Sequence, residues 1–107
     1  MSQTFDLVTD LVARDEVRVS LHGQEELQAD GIRIREVLSG LSDGFVVEDY
    51  PDFGKGPCVL LLQRDAEGQA IHIVWGIPKG KSGPAVIVTG YRPDKEMWED
   101  NFLRRLT

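Results

Sequence analysis

The spacing of apolar residues changes near residue 45 and divides the chain into a helical part and a strand part. Before this point, apolar residues recur every three or four positions, which is the period of one helix face. The first such series predicts a helix over residues 3–13, with four apolar residues on one face: Phe5, Val8, Leu11 and Val12. Residues 17–20 then alternate and predict a short extended piece.

Capping residues indicate two further helices. Ser20 is suited to cap a helix over residues 22–29, because its hydroxyl can accept a hydrogen bond from the first helical turn. Gly31 is suited to end this helix, since glycine readily adopts the positive φ that is common just after a helix. A third helix is predicted over residues 32–39, with Gly40 near its end.

After residue 45 the pattern favours strands. Four are predicted, over residues 45–50, 59–63, 71–77 and 85–91. Glycine-containing turns at residues 65–68 and 78–83 separate the later strands. Asp94 has the position of a helix cap, and a last helix is predicted behind it, with Trp98 buried against the sheet.

Together these elements predict an α+β fold in one domain over residues 1–107. Successive strands with short connections favour a four-stranded, mainly antiparallel sheet. The N-terminal helices should pack on one face of that sheet, and the C-terminal helix completes the predicted fold.

Composition excludes several classes of protein. The 107 residues are 41% hydrophobic and 28% charged, which is typical of a globular protein. No apolar run approaches the roughly 20 residues that a membrane-spanning helix needs. The first residues lack the basic start and apolar centre of a secretory signal, and the single cysteine, Cys58, cannot form an internal disulfide. We therefore expect a cytoplasmic protein with no membrane partner.

The formal net charge of −6 argues against a general nucleic-acid binder, because phosphate contacts supply much of the affinity of such proteins. The charges are unevenly distributed along the chain, however. Many carboxylates fall in the first half, whereas several cations lie in the last third: Lys79, Lys81, Arg92, Arg104 and Arg105. A local basic face is therefore compatible with the sequence.

One motif suggests a phosphate-binding loop but has the wrong spacing. Between Gly76 and the pair Gly80-Lys81 there are three residues, whereas that motif requires four. A strand also follows, rather than a helix whose N-terminus could bind phosphate. We expect Lys81 and Ser82 to lie in an exposed hairpin loop that does not bind nucleotide.

A second motif suggests part of a metal site. His22, Glu25 and Glu26 share one face of the predicted second helix. Neither His72 nor Cys58 adds a ligand at a recognisable metal spacing, so a solvated acidic face accounts for this motif better. We expect no metal and no cofactor.

His72 is a candidate for acid–base chemistry, because inward-facing and outward-facing side chains alternate along its strand. Its side chain points away from Ile71 and Ile73, so it stands on the open face if the helices cover the isoleucines. There it is either a half-exposed strand histidine or a proton donor or acceptor. Thr89 and Tyr91 share one face of the fourth predicted strand and should lie near His72.

Several short motifs between residues 17 and 105 carry a family resemblance: Ser20-x-His22-Gly-x-Glu25, Asp30-Gly31-Ile32, Ile71-His72-Ile73-Val74 and Val88-Thr89-Gly-Tyr91-Arg-Pro93-Asp94, with Trp98 and Arg104-Arg105 behind them. They resemble a family of small bacterial domains of unknown function that is grouped with the RelE/ParE-like toxins. The resemblance implies a helix pair packed on a strongly bent antiparallel sheet. Some members of that superfamily cut messenger RNA, often on the ribosome.

The resemblance also implies roles for particular residues. The implied catalytic residues are His22, His72, Thr89 and Tyr91. The implied substrate-binding residues are Arg92, Arg104 and Arg105. Cleaving RNA through its own 2′-hydroxyl requires a base, an acid for the leaving oxygen and a cation near the phosphate, which these residue types can supply.

Two hypotheses about function follow. In the first, the chain is a toxin-like, metal-independent endoribonuclease acting on RNA or the ribosome, and its histidines, Tyr91 and a C-terminal arginine converge on one concave positive patch. In the second, the same fold is catalytically inert and acts as a protein-interaction or regulatory module with an antitoxin-like partner. Glu26 and Asp30, at positions where the family commonly has arginine, favour the second because they would repel phosphate. A homo-oligomer is compatible with both.

Overall fold

The computed structural model describes residues 2–106 and contains helices followed by a sheet. The elements in chain order are helix α1 (Gln3–Ala13), strand β1 (Val17–Val19), helices α2 (Leu21–Ala29) and α3 (Ile34–Ser39), one turn of 3-10 helix (Leu41–Asp43), and strands β2 (Phe45–Tyr50), β3 (Cys58–Arg64), β4 (Ala70–Gly76) and β5 (Ala85–Tyr91). The α+β class predicted from the sequence is confirmed. The predicted domain over residues 1–107 also includes Met1 and Thr107, which lie outside the described residues.

Two of the predicted helix boundaries rest on capping interactions that the structure contains. The Ser20 hydroxyl accepts a hydrogen bond from the backbone N–H of Gly23 at 2.9 Å and so caps α2. Gly31, with a φ of 67°, ends this helix as predicted. The next helix begins at Ile34 rather than at residue 32, because the N–H of Ile32 bonds back to the carbonyl of Leu27 at 2.8 Å and completes the end of α2.

The sheet has five strands in the order β1-β5-β4-β3-β2 and is mixed, rather than four-stranded and mainly antiparallel as predicted. Strands β2 to β5 pair with their chain neighbours in antiparallel orientation, and β1 adds a parallel edge strand beside β5. The three residues of β1 are too few to predict a partner. Their pairing extends through two long-range hydrogen bonds, from Ser20 N–H to the Ile87 carbonyl and from Ala85 N–H to the Glu16 carbonyl, each 3.0 Å long.

The hydrophobic core lies between the helices and one face of the sheet, which we call the inner face. Apolar side chains from all three helices meet side chains of β3, β4 and β5 there: Val8, Leu11, Leu27, Val37, Val59, Leu61, Ile71, Ile73, Trp75 and Ile87. One polar side chain, Gln63, is buried among them. It accepts a hydrogen bond from the Trp75 indole N–H at 3.0 Å and donates one to the Val37 carbonyl at 2.8 Å. The core therefore contains a polar connection between β3, β4 and α3 whose donors and acceptors are paired.

No helix follows β5 in the described part of the chain, so the predicted C-terminal helix is wrong. Asp94 accepts a hydrogen bond from the Glu96 N–H at 2.8 Å, and Asn101 accepts one from the Leu103 N–H at 3.1 Å. Such local side-chain acceptors compete with helical hydrogen bonds and favour turns. Residues 94–106, called here the C-terminal segment, instead fold back on themselves, with Trp98 paired to Arg105.

No helix among residues 2–106 is long and apolar enough to cross a membrane. Lys81 and Ser82 lie exposed in the loop between β4 and β5, as the sequence predicts.

Trp98 should anchor the C-terminal segment to the sheet. Its side chain is buried, as predicted, with 4% exposed. We expect Trp98→Ala to lower the free energy of unfolding by about 3 to 5 kcal/mol, because the large aromatic side chain leaves a cavity. Urea unfolding followed by circular dichroism measures this change.

Met97 provides the matched control, since it belongs to the same segment but is 59% exposed. Met97→Ala should change the free energy of unfolding by no more than about 0.5 kcal/mol. Equal effects of the two substitutions would show that Trp98 does not anchor the segment.

Candidate functional site

The outer face of the sheet, opposite the helices, carries the side chains that are candidates for acid–base chemistry. His72 on β4 pairs with Tyr91 on β5, and Val74 pairs with Thr89 two residues along. The side chains of each pair therefore point to the same side of the sheet. The C-terminal segment crosses this face above His72, so the site lies between two layers of the protein.

His72 is completely buried beneath the C-terminal segment. Its ring Nε2 lies 2.8 Å from the backbone carbonyl oxygen of Phe102. A carbonyl oxygen can only accept, so Nε2 carries the proton. The other ring nitrogen, Nδ1, lies 3.4 Å from the Tyr91 hydroxyl and is available to accept from it. Both ring nitrogens of His72 are thus engaged within the chain.

Aromatic rings surround His72. The Trp98 ring lies edge-on at a centroid distance of 4.4 Å, and the Tyr91 ring lies at 5.5 Å. Burial in this environment lowers the pKa of His72 below its ordinary value, although the hydrogen bond to Phe102 acts in the opposite direction. His72 is therefore a neutral imidazole near pH 7.

An ion pair joins the C-terminal segment to β2. The Arg105 guanidinium donates two hydrogen bonds to the Glu48 carboxylate, at 2.7 Å and 3.1 Å. Its central carbon lies over the Trp98 ring, 4.7 Å from the ring centroid. The Tyr50 hydroxyl donates a further hydrogen bond to Glu48 at 3.0 Å. The contact with Arg105 holds the pKa of Glu48 below its usual range. Arg105, Glu48 and Trp98 thus form one cluster that holds the segment in place.

The implied catalytic residues do not all meet. His72 and Tyr91 lie side by side, and Thr89 is half-buried two residues from Tyr91 on the same strand. His22, in contrast, is exposed on α2, where its Nε2 lies 3.7 Å from a Glu26 carboxylate oxygen. Helix α2 packs on the inner face, so the sheet separates His22 from the other three residues.

Two of the three implied substrate-binding arginines are paired with carboxylates. Arg92 donates to Asp65 at 2.9 Å and, through its side chain and backbone, to Asp30. Arg105 is paired with Glu48. Arg104 is exposed, and no carboxylate of residues 2–106 forms an ion pair with it. Of the three implied arginines, Arg104 alone has no carboxylate partner among residues 2–106.

The carboxylate of Asp65 is a second buried polar centre, next to the β3–β4 turn. Burial raises the pKa of Asp65, but hydrogen bonds from the backbone N–H of Gln69, from Arg92 and from the Glu67 N–H outweigh it, so the pKa is lowered overall. Glu36 and Glu67 bring their carboxylates within 4.8 Å of that of Asp65. These contacts explain why the acidic groups gather here without assigning an ion to them.

Sequence reasoning missed two groups that define the site, Glu48 and the carbonyl of Phe102. Glu48 meets Arg105 across 57 residues of chain, and a register shift between Val46 and Glu48 changes the simple alternation of β2. Phe102 acts through its backbone, which its residue type does not reveal. No local sequence signal could therefore have identified either group.

Comparison with known proteins gives one finding. The model of a family described as a domain of unknown function, DUF4258, matches residues 19–92. The matched region begins at the last residue of β1, includes α2, α3 and strands β2 to β5, and ends just before the C-terminal segment. No curated protein and no solved structure matches the chain significantly.

His72 should make stability depend on pH. Its pKa is lowered in the folded chain from an ordinary value of 6.5, so the unfolded chain binds more protons as the pH falls below that value. Its contribution is complete above about pH 6.5 and is lost as the pH falls through the folded-state pKa. We expect the melting temperature to decrease between about pH 7 and about pH 5, as followed by circular dichroism.

The two histidines allow a matched comparison of this effect. His72→Gln should flatten the pH dependence in this range, and His22→Gln, which removes the exposed histidine on α2, is the matched control for the loss of a histidine elsewhere. A melting temperature with the same slope in wild type and His72→Gln would contradict the assignment.

Proposed function

The chain belongs to the DUF4258 family, and we propose that it is a toxin–antitoxin-like module that acts by binding a partner protein rather than by cleaving RNA. A relationship to the RelE/ParE-like toxins is part of this proposal. Helices packed on one face of a sheet whose strands β2 to β5 form an antiparallel meander support it. Fold alone does not determine activity, so the argument rests on the site.

The observation that carries the proposal is the burial of His72 with both ring nitrogens engaged. A general base must come within hydrogen-bond distance of the proton that it removes. The Phe102 carbonyl oxygen accepts a hydrogen bond from Nε2 of His72, and the Tyr91 hydroxyl lies next to Nδ1. A ribose hydroxyl would have to displace the C-terminal segment before it could reach His72.

The charges around the site support the same conclusion. An RNA-cleaving site stabilises the negative charge of the phosphate with uncompensated cations. Here Arg92 and Arg105 already neutralise Asp65 and Glu48. The net charge of −6 adds a general repulsion of the RNA backbone.

The edge of β2 is the surface that suits a partner. Strand β2 pairs with β3 on one side only, so its other side presents unpaired backbone groups. Three large apolar or aromatic side chains are exposed along it: Phe45, Val46 and Tyr50. An extended segment of a partner could add a strand there and place its own apolar side chains against these residues.

An endoribonuclease is the second candidate, and one observation favours it. His72, Tyr91, Trp98 and Arg105 do form one cluster, with Thr89 nearby, so an acid, a base and a cation lie within one site. The C-terminal segment, which carries Trp98 and Arg105, would have to open only far enough to admit a ribose hydroxyl to His72. RNA or the ribosome would then be the partner. His22 is not near this cluster and has no evident role in such a mechanism.

An RNA cleavage assay tests the choice between the two candidates. Purified chain would be incubated with RNA and with translating ribosomes, beside Tyr91→Phe and Glu48→Gln. Tyr91→Phe removes only a hydroxyl whose hydrogen bond is long, and Glu48→Gln removes the ion pair that holds the segment while it keeps the Arg105 cation. We expect no cleavage above the protein-free control in any sample.

Cleavage by the wild type or by Glu48→Gln would contradict the proposal. If Tyr91 assists catalysis, adding Tyr91→Phe to the active form should lower the rate by about 100-fold, within the usual range for loss of an acid–base group. Such a result would establish the second candidate.

A binding experiment tests the edge of β2. Proteins retained by immobilised wild type from the cells that produce this chain would be compared with those retained by Phe45→Lys, since Phe45 is 64% exposed on the edge strand. We expect a partner whose binding to the purified chain weakens at least about tenfold in Phe45→Lys, because a charge replaces an apolar contact.

Met97→Lys is the matched control, because it places the same charge at another exposed apolar position away from β2. Retention of the partner by Met97→Lys and its loss from Phe45→Lys is the expected outcome. Equal binding to both variants would contradict a partner site on the edge of β2.

A further inference from the structure

The outer face of the sheet contains an apolar pocket that the site around His72 does not use. It has a volume of about 400 Å³. Its floor is formed by outward-facing residues of three neighbouring strands: Cys58, Val74, Gly76, Val86 and Val88. The loop between β2 and β3 forms one wall, with Phe53 and Pro57, and Ile77 and Pro78 form another. A volume of this size lies in the range of pockets that bind small molecules.

The wall of the pocket is fixed by the chain itself. Gly56 is buried with a φ of 121°, and a Cβ at this position would overlap the carbonyl oxygen of Ile77. The Pro57 carbonyl accepts a hydrogen bond from the Ile77 N–H at 3.0 Å, and the Gly56 N–H donates to the Phe53 carbonyl at 2.9 Å. The loop therefore lies against the end of β4, so the pocket is formed before any ligand binds.

Lys55 is the one charged residue among those that line the pocket, and its side chain is exposed to solvent. The chain as a whole is acidic, yet no carboxylate of residues 2–106 forms an ion pair with Lys55. Burial raises the pKa of the Cys58 thiol, so Cys58 adds no negative charge near neutral pH. The lining of this hydrocarbon surface thus includes one lysine without an ion-pair partner among residues 2–106, and the Asp49 carboxylate is an anion close enough to Cys58 to help raise its pKa.

We infer that this pocket binds a small amphipathic anion, with its apolar body on the valine floor and its carboxylate or similar head group against Lys55. The apolar floor favours binding of any hydrocarbon group through the hydrophobic effect, which does not fix the orientation of the ligand. Lys55 provides orientation and selects for negative charge. The walls on two sides limit the ligand to a compact molecule. This site is separate from the edge of β2 and does not depend on the partner-binding proposal.

Octanoate and octylammonium are suitable probes because they share an apolar chain and differ in the sign of the head group. Each would be titrated into the isotope-labelled chain, and binding would be followed by amide chemical shifts. We expect octanoate to shift the amides of Lys55, Cys58, Gly76 and Val86 with saturation. Octylammonium should bind at least about tenfold more weakly, since its charge is repelled by Lys55.

Three variants locate the binding. Lys55→Gln should weaken octanoate about twofold to fivefold, as expected for one exposed ionic contact. Val86→Trp should fill the pocket and abolish saturable shifts with both probes. Lys95→Gln removes an exposed lysine that does not line this pocket and should leave octanoate binding unchanged.

Three results would overturn the inference. The first is the absence of saturable octanoate binding to the wild type. The second is octanoate binding that Val86→Trp leaves intact, which would place the ligand elsewhere. The third is equal binding of octanoate and octylammonium, which would remove the role of Lys55 and favour an apolar side chain of a partner protein as the occupant.

Discussion

The central strands of this sheet are apolar on both faces, and the rest of the structure depends on covering each of these faces with a layer of the chain. In β3, Val59 and Leu61 point to the helices, whereas Leu60 and Leu62 point to the outer face, and all four are buried. Strands with this pattern need a layer on each side, because exposed leucine rows would remain in contact with water. Helices α1 to α3 supply the inner layer. The outer layer comes from the C-terminal segment.

That requirement explains the state of His72. A histidine on an open sheet face would be half-exposed and free to titrate near neutral pH. Here the C-terminal segment covers His72, which pairs with the buried Leu62 of β3, and its Phe102 carbonyl accepts a hydrogen bond from the ring. The same fold therefore buries a residue suited to acid–base chemistry. Because the segment lies beyond the family match, its covering role is a feature of the region after residue 92.

The C-terminal segment covers only part of the outer face, and none of its residues lines the pocket on that face. Near His72, Trp98 and Arg105 close the face. Farther along β4 and β5, smaller side chains and Gly76 leave a recess instead, bounded by the β2–β3 loop. One face thus combines a closed aromatic cluster with an open apolar pocket. The two regions share strands but differ in charge, since Arg105 at the cluster is paired with Glu48, whereas no carboxylate of residues 2–106 forms an ion pair with Lys55 at the pocket.

Local interactions determined what the sequence by itself could predict. The helix α1, the Ser20 cap, the positive φ of Gly31 and the four later strands all depend on residues within a few positions of one another. Tertiary contacts decided the rest. The parallel pairing of β1 with β5, the ion pair of Glu48 with Arg105 and the burial of His72 join groups far apart in the chain. The C-terminal helix failed as a prediction because Asp94 and Asn101 bond locally to the backbone, and because the outer face favours a segment that lays Trp98 over His72. The spacing of apolar residues along the sequence indicates which side chains share a face of a helix or strand. Only the folded chain determines which other segment covers that face.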